Sequence, residues 1–180
     1  MARRVEVVLG DITTQDVEAI VNAADRSLLG GGGVDGAIHR AAGPGLLEAC
    51  RELRRTAYPE GLPVGEAVAT TGADLAARWV VHTVGPNWHR GQRDPDALRS
   101  CFTRSLDVAA GLPARTLAFP AVSAGVYGWD PDIVARTAIE AATDPEHGPA
   151  VELVRFVLFS ERVHGAFAAA LAAHGDDPAG

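Results

Sequence analysis

The sequence predicts an α/β protein, specifically a three-layer α/β/α sandwich with a central mixed sheet. Short apolar and β-branched runs alternate along the chain with segments whose apolar residues recur at helical spacing. Glycine, proline or aspartate marks many of the junctions between these segments. The chain has 180 residues, of which 47% are apolar, and this suffices for one compact domain. We therefore expect a single domain over residues 1–175 and a frayed tail over residues 176–180.

The elements of the first half are bounded by local signals. An apolar run that ends in Gly10 predicts the first strand, and a β-branched run predicts the second. One helix is expected where Ala, Ile and His follow a run of glycines, and another begins at Gly45. Two β-branched runs bounded by glycines then predict a pair of strands. These elements cover residues 3–9, 19–23, 36–42, 45–55, 66–71 and 78–84.

The second half continues the alternation. Asp94-Pro95 begins a helix with apolar residues at helical spacing, and Gly111 ends it. A short buried strand ends at Pro120, and a helix, a long hydrophobic strand and an alanine-rich closing helix follow. These elements cover residues 94–110, 116–119, 133–142, 151–159 and 163–173.

Composition and charge exclude several classes of function. All sixteen basic residues are arginines, so a P-loop, which needs a lysine, and Schiff-base chemistry are both excluded. The net charge of −7 and the pI near 5.3 argue against sequence-independent binding of nucleic acid. An anionic ligand must therefore be held by backbone amides.

The sequence shows no targeting segment, and neither its cysteines nor His82 forms a metal-binding or disulfide pattern. No stretch is long and apolar enough for a membrane span or a signal peptide, so we expect a cytosolic protein with no membrane partner. Cys50 and Cys101 are too far apart for a zinc pattern, and a cytosolic disulfide would be unusual. They are expected to be packed or surface thiols. His82 lies within a predicted strand and is expected to be a core residue. We expect neither a metal nor a cofactor.

Four consecutive glycines, Gly30 to Gly33, are the most informative stretch. Each glycine loses extra backbone entropy on ordering, so such a run needs a reason. Without Cβ atoms, the backbone N–H groups and the dipole of the following helix can hold a phosphate or diphosphate. A flexible linker is the alternative, but linkers are usually Gly/Ser mixtures. A dinucleotide fingerprint fits only weakly, because these glycines follow the second strand.

A second glycine-containing loop covers residues 122–128, with Tyr127 between Gly125 and Gly128. A tight turn alone would account for both glycines. Both glycine-rich loops follow the carboxyl ends of predicted strands, which is where α/β sheets bind ligands. The two loops can therefore face one ligand.

Asp35 is the best candidate for an acid–base group, because no Ser/His/Asp order or Cys/His motif is present. Its position at the start of a helix is equally typical of an N-cap. Asp11 poses the same choice, since Thr13 and Thr14 follow it in an N-cap pattern.

Four motifs together resemble the macrodomain family, in particular its MacroD-like branch of ADP-ribose-binding hydrolases. They are Gly10-Asp11-Ile12-Thr13, Val21-Asn22-Ala23-Ala24, the segment from Gly30 to Ile38, and Ser123 to Gly128. They occur in the family's order, and the resemblance covers about residues 3–172.

The resemblance implies a role for each matching residue. Asp11 would accept a hydrogen bond from the adenine amino group, and Phe159 would be the aromatic on the adenine side, although a buried core role is commoner for phenylalanine. The second loop would hold the diphosphate and the distal ribose. Asp35, and with it Asp25, would position the attacking water, and the resemblance also allows a phosphate oxygen of the substrate to share the role of the base. The expected ligand-binding residues are Asp11, Ile12, Asn22, Ala23, Ala24, Gly31, Gly32, Gly33, Val34, Ser123, Ala124, Gly125, Val126, Tyr127 and Phe159.

Asp25 departs from the family pattern. Family members commonly have Asn-Ala-Ala-Asn where this chain has Asn22-Ala23-Ala24-Asp25. An aspartate keeps an acceptor for a ribose hydroxyl but loses the amide donor and adds a negative charge near the phosphates.

Two functions follow from the resemblance. The first is a hydrolase that removes mono-ADP-ribose from acidic side chains of proteins, deacetylates O-acetyl-ADP-ribose, or does both. The second is a reader module that binds ADP-ribose or ADP-ribosylated proteins without turnover. The run from Gly30 to Asp35 favours the hydrolase, and Asp25 favours the reader. We expect a monomer.

Overall fold

The computed structural model describes residues 2–175 and contains six strands and five α-helices. The predicted tail, residues 176–180, lies outside the described residues. The strands are β1 (Arg4–Leu9), β2 (Ala19–Ala23), β3 (Ala67–Thr71), β4 (Trp79–Thr83), β5 (Thr116–Phe119) and β6 (Leu153–Leu158). The helices are α1 (Gly33–Ala42), α2 (Pro44–Arg55), α3 (Pro95–Gly111), α4 (Pro131–Thr143) and α5 (Glu161–Gly175). Two short 3-10 helices, Ile12–Thr14 and Trp88–Arg90, lie in the loops.

The strands form one mixed sheet in the order β1-β6-β5-β2-β4-β3. The neighbours from β1 to β4 are parallel, and β3 pairs antiparallel with β4 at the edge. Parallel strands require crossover connections, and here helices supply most of them. The predicted α/β fold with a mixed sheet is confirmed, including the antiparallel strand pair.

Helices cover both faces of the sheet, and alternation along each strand divides the core between them. In β2, Ala19 and Val21 belong to the core cluster under α3, α4 and α5, whereas Ile20 belongs to the cluster under α1 and α2. Asn22, two residues beyond Ile20, therefore lies on the α1 face as well. This alternation places a polar strand residue directly beneath the helix that follows the glycines.

Helix α1 and strand β6 differ from their predicted bounds. The helix begins at Gly33, three residues before the predicted start, and Gly33 has φ +61°, a conformation that favours glycine over other residues. Strand β6 ends at Leu158, so Phe159 leaves the sheet and its side chain is 84% exposed. The core role considered for Phe159 is therefore wrong.

Both cysteines and His82 lie in the interior. Cys50 and Cys101 are free and fully buried, and burial raises the pKa of the two thiols to about 12 and about 11. His82 is buried, as predicted. Within residues 2–175, none of the helices combines the length and the apolar character that a membrane crossing needs.

Candidate functional site

A cleft of about 900 Å³ lies beyond the carboxyl ends of β1, β2, β5 and β6. The loops after these four strands supply most of its walls. Both glycine-rich loops contribute, so the prediction that they face the same space is confirmed. A cleft in this position is where ligands bind in α/β sheets.

The first glycine loop ends in the N-terminus of α1. The first hydrogen bond of the helix runs from Gly36 N to Gly32 O, 3.2 Å, so the amides of Gly33, Val34 and Asp35 have no acceptor in the first turn. Gly32 is the N-cap and supplies no side chain that could accept from them. These amides and the positive end of the helix dipole are therefore free to hold an anion.

Gly30, Gly31 and Gly36 determine how closely the loop approaches the helix. Gly30 has φ +91°, which favours glycine. A Cβ on Gly36 would lie 2.6 Å from Gly31 O, and a Cβ on Gly31 would lie 3.3 Å from a carboxylate oxygen of Asp35. The loop backbone therefore passes so close to α1 that a side chain is excluded at Gly36 and crowded at Gly31.

The second loop is fixed from below by Ser123. This residue has φ +70°, unusual outside glycine, and its hydroxyl donates to Pro86 O at 2.8 Å. Its own carbonyl accepts from Trp129 N at 3.1 Å. The Ser123 hydroxyl is thus engaged beneath the loop, while Ser123, Ala124, Gly125, Val126 and Tyr127 all line the cleft.

The 3-10 helix Trp88–Arg90 supports the far side of this loop. Trp88 N donates to Tyr127 O at 2.8 Å, and the His89 ring packs where a Cβ on Gly128 would lie. Trp129, whose role the sequence left open, is buried and packs edge-on against Trp88 with 5.2 Å between ring centroids. Its role in this structure is to hold the loop.

Asp11 and Phe159 line the opposite end of the cleft. Asp11 caps the 3-10 helix, since one carboxylate oxygen accepts from Thr13 N at 2.9 Å and from the Thr13 hydroxyl at 2.7 Å. The N-cap role is thus correct, and the exposed carboxylate still faces the cleft. Phe159 provides an exposed aromatic surface beside it, so the two side chains predicted for the adenine lie at one end.

Asp35 is buried at the third position of α1, with 5% of its surface exposed. The N-cap role is wrong, because Gly32 occupies that position. The Asp35 carboxylate accepts from Asn22 Nδ2 at 2.8 Å, and His39 Nε2 lies 3.4 Å away. Burial raises the pKa of Asp35, while the Asn22 hydrogen bond and His39 act in the opposite direction. A carboxylate with a raised pKa is a stronger base than an exposed one.

Asp25 lies at the mouth of the cleft and behaves differently. Its carboxylate accepts from Ser27 N at 2.9 Å. The pKa of Asp25 is lowered, first by the hydrogen bond from the Ser27 side chain, then by the Ser27 and Arg26 amides and the charge of Arg90, while partial burial acts in the opposite direction. Asp25 is thus an ionised surface carboxylate, in contrast to the buried Asp35. Burial raises the pKa of Tyr127, and the negative charges of Asp25 and Asp35 act in the same direction.

The structure brings most of the predicted residues to the cleft and leaves two beneath it. Asn22 is fully buried, and Ala24 is buried with its amide donating to Thr83 O at 2.9 Å. Neither lines the cleft, so their direct contact with a ligand stays a prediction. The predicted residues that do line it are Asp11, Ile12, Ala23, Asp25, Gly31, Gly32, Gly33, Val34, Asp35, Ser123, Ala124, Gly125, Val126, Tyr127 and Phe159.

Several lining residues were not predicted. Most are apolar or small and follow the carboxyl ends of β1, β5 and β6, so the rule that ligands bind at these ends could have found them. They are Gly10, Gly30, Ala37, Pro120, Ala121, Val157, Leu158, Ser160 and Val163. Over residues 2–175, no group of three or more His, Cys, Asp or Glu side chains is arranged to hold a metal ion.

Comparison with known proteins identifies the family. The Macro domain model matches residues 21–138. A macro domain-containing protein of Streptomyces nogalater is 56% identical over 165 residues, 91% of this chain and 90% of the relative. The O-acetyl-ADP-ribose deacetylase of Klebsiella pneumoniae is 47% identical over 177 residues, 97% of this chain and 99% of the relative.

A solved structure, the Oceanobacillus iheyensis macrodomain with ADP, superposes with a TM-score of 0.86 at 41% identity and covers 93% of this chain and 90% of its own. The chain belongs to the macrodomain family, and the resemblance to its MacroD-like branch is confirmed.

Proposed function

We propose that this protein binds ADP-ribose in the cleft and hydrolyses ester-linked ADP-ribose. The substrates would be mono-ADP-ribose on acidic side chains of proteins, O-acetyl-ADP-ribose, or both. The observation that carries the proposal is the buried carboxylate of Asp35, with its raised pKa, beside an anion-binding loop. The deacetylase relative and the macrodomain with ADP support the same ligand class.

The two loops would hold the diphosphate without any basic side chain. The amides at the start of α1 have no acceptor within the helix and would bind the diphosphate oxygens, and the helix dipole adds to their effect. The backbone of residues 124–127 would face the same diphosphate and the distal ribose. Asp11 and Phe159 would then receive the adenine. A whole ADP-ribose would contact both loops and the adenine end together, so it would bind better than its fragments.

Asp35 would act on water at the distal ribose. Its carboxylate accepts a proton from the water as the oxygen attacks the ester, and the ester bond breaks. Water thereby supplies the hydroxyl to one product and a proton to the other. The products are ADP-ribose and a free carboxylic acid, which is the protein side chain or acetic acid and which ionises at neutral pH. The amides around the cleft keep the substrate in one orientation during the step.

A reader module is the second candidate function, and Asp25 is the observation that favours it. An ionised carboxylate at the mouth of the cleft repels the diphosphate and supplies no amide donor to the distal ribose. In that case ADP-ribose or an ADP-ribosylated protein would bind and leave unchanged. The cytosolic location and the monomeric state stay predictions from the sequence.

The test is an assay of release from glutamate-linked mono-ADP-ribosylated protein and, in parallel, from O-acetyl-ADP-ribose. Wild type should release product, and Asp35→Ala should lower kcat by roughly 10²- to 10⁴-fold, the usual effect of removing an acid–base group. Glu140→Ala, which removes an exposed carboxylate from α4, should leave kcat unchanged.

Calorimetry with ADP-ribose accompanies the assay. Wild-type binding without turnover of either substrate would reject the hydrolase and support the reader. Absence of ADP-ribose binding would reject both functions.

A further inference from the structure

A chain of buried polar groups connects Asp35 to the far edge of the sheet. Asn22 on β2, His82 on β4 and Thr70 on β3 lie on three adjacent strands, and the parallel register pairs Asn22 directly with His82. Asn22 and His82 are fully buried, and Thr70 is 9% exposed. All three are on the sheet face beneath α1 and α2. None of the three lines the cleft.

The distances define a continuous series of hydrogen bonds. Asn22 Nδ2 lies 2.8 Å from Asp35 Oδ1 and 3.2 Å from His82 Nδ1. His82 Nε2 lies 3.0 Å from the Thr70 hydroxyl, which itself donates to Thr71 O at 3.0 Å. Every polar atom of the His82 ring therefore has a partner.

The chemistry of the partners fixes the direction of each bond. The Thr70 proton is used on Thr71 O, so the Thr70 oxygen accepts and His82 Nε2 carries the ring proton. His82 Nδ1 is then an acceptor, and the Asn22 amide must turn its two N–H groups toward His82 and Asp35. Full burial supports the neutral ring, because it lowers the pKa of His82 to about 3.

We propose that His82 is a positioning residue for the Asp35 carboxylate, acting through Asn22. Its acceptor atom holds the Asn22 amide in the orientation in which Nδ2 donates to Asp35 and Oδ1 faces away. This role rests on the proposed function, in which Asp35 is the base. It adds a residue that lies outside the cleft to the machinery that prepares that base.

The orientation of Asn22 has a clear consequence for Asp35. If the amide turned over, Oδ1 would face the carboxylate, and two acceptors would oppose each other. The Asn22 Oδ1 atom finds no hydrogen-bond partner among residues 2–175, so nothing on that side holds the amide. Two acceptors, the Asp35 carboxylate and His82 Nδ1, therefore hold the two N–H groups of Nδ2, and His82 supplies the one that lies outside the cleft.

Other charged groups also act on Asp35 and must be held constant in any test. His39, one turn along α1, favours the ionised carboxylate, and the charge of Asp25 opposes it. Tyr127 from the second loop and Cys50 from α2 both feel the Asp35 charge. The test variants keep His39, Asp25 and Tyr127 unchanged, and Cys50 is replaced only in the control variant.

A purely structural role for His82 predicts different behaviour from the positioning role. As a core residue, its replacement would lower stability without a selective effect on Asp35. Cys50 provides the matched control, because its Sγ makes only a long, weak contact of 3.8 Å with His82 Nε2 and has no hydrogen bond to Asn22 or Asp35. Cys50→Ala therefore perturbs packing around the same ring without removing a hydrogen bond to Asn22.

Three variants separate the atoms of the ring. His82→Leu removes the acceptor for Asn22. His82→Asn is the conservative variant, because an asparagine oxygen lies close to the position of His Nδ1 and can accept from Asn22. Thr70→Val removes the acceptor that keeps the ring proton on Nε2 and is close in shape to threonine.

Nuclear magnetic resonance reads the proposal directly. In wild type, the ¹⁵N shifts of His82 should report a neutral ring with the proton on Nε2. The ¹³C signal of the Asp35 carboxyl should titrate about one pH unit higher in His82→Leu than in wild type, the usual effect of losing a hydrogen bond to a charged acceptor. His82→Asn should restore most of the shift, Thr70→Val should show part of it, and Cys50→Ala should show none.

The pH–rate profile with the ester substrate should agree. In His82→Leu the acid limb should move upward by about the same amount, with a lower kcat near neutral pH and a KM within about threefold of wild type. An Asp35 titration that is the same in wild type, His82→Leu and Thr70→Val would overturn the proposal, as would a His82 proton on Nδ1.

These results can be told apart from a failure of the proposed function. If wild type turns over no ester, the hydrolase fails, yet the carboxyl titration still decides the positioning role. If His82→Leu does not fold, Thr70→Val and His82→Asn carry the same comparison.

Discussion

Gly32→Glu tests whether the first glycine loop holds the diphosphate. Gly32 is the N-cap of α1, with φ −98° and ψ −173°, an extended conformation that any residue can adopt. A Cβ there would have no atom within 4 Å. The substitution therefore introduces neither strain nor a clash, and we expect the free energy of unfolding to change by no more than about 0.5 to 1 kcal/mol.

The effect on binding comes from the added charge. The Gly32 position lines the cleft beside the free amides of α1, so a glutamate there places a carboxylate next to the site predicted for the diphosphate. Two negative charges about 6 Å apart near a protein surface repel by roughly 3 kcal/mol. This corresponds to about a 100-fold loss of ADP-ribose affinity.

Two controls distinguish the effect of a charge at position 32 from the effect of side-chain size and from the effect of a change in the protein's net charge. Gly32→Gln has nearly the same volume without the charge, and because the space around Gly32 is open we expect its affinity within about tenfold of wild type. Gly111→Glu adds the same charge at the exposed end of α3, before the strand β5 enters the sheet, and should bind as wild type does. Calorimetry measures the affinities and circular dichroism the fold. Equal affinities for the Glu and Gln variants would refute the assignment of the diphosphate to this loop.

Four further outcomes follow from the structure. AMP should bind far more weakly than ADP-ribose by calorimetry, because it cannot span both loops; equal affinities would contradict the two-loop site. Asp25→Asn should tighten ADP-ribose binding and keep or raise turnover, since it removes an ionised carboxylate from the mouth of the cleft and retains an oxygen for Ser27 N. Slower turnover, together with the loss of one limb from the pH–rate profile, would instead show that Asp25 shares the acid–base role. Asp35→Asn should raise the melting temperature at pH 7, because burial raises the folded pKa of Asp35 above its unfolded value and ionisation then costs stability; this gain should vanish below about pH 4, where both states are protonated. Acid should destabilise wild type more than His82→Asn as the pH falls from 6.5 toward 3, because only the unfolded state protonates His82 in this window. At about 1.36 kcal/mol for each pH unit, the full difference in the free energy of unfolding is about 5 kcal/mol. Urea unfolding at each pH measures it, and the same pH dependence in both proteins would contradict the prediction.

The fold and the position of the cleft could be predicted because they depend on local patterns. The short apolar or β-branched runs of β2, β3 and β4 indicate strands, and glycine or proline at the junctions marks their ends. The rule that ligands bind at the carboxyl ends of strands then joins two loops about 90 residues apart in the sequence. Neither step requires knowledge of side-chain contacts.

The surroundings of Asp35 could not be predicted, because they depend on pairing across strands. Nothing near Asn22 in the sequence indicates that β4 lies beside β2 in a register that opposes it to His82. The burial of Asp35 also depends on the close approach of Gly31 to Gly36, which is set by the backbone path of the glycine loop. For the same reason Phe159 could be taken for a core residue, since only the observed end of β6 places it outside.

The two aspartates of the site divide their roles according to environment. A proton shared between Asp25 and Asp35 would require that each carboxylate raise the pKa of the other, as happens when two such groups lie close together in a poorly solvated site. Here the pKa of Asp25 is lowered. The pKa of Asp35 is raised mainly by burial, and the charge of Asp25 makes the smallest contribution. Asp35 therefore keeps its raised pKa whether the neighbouring position holds aspartate or asparagine. An aspartate at position 25 can accordingly weaken the hold on an anionic ligand without removing the base, which is why we place the hydrolase before the reader.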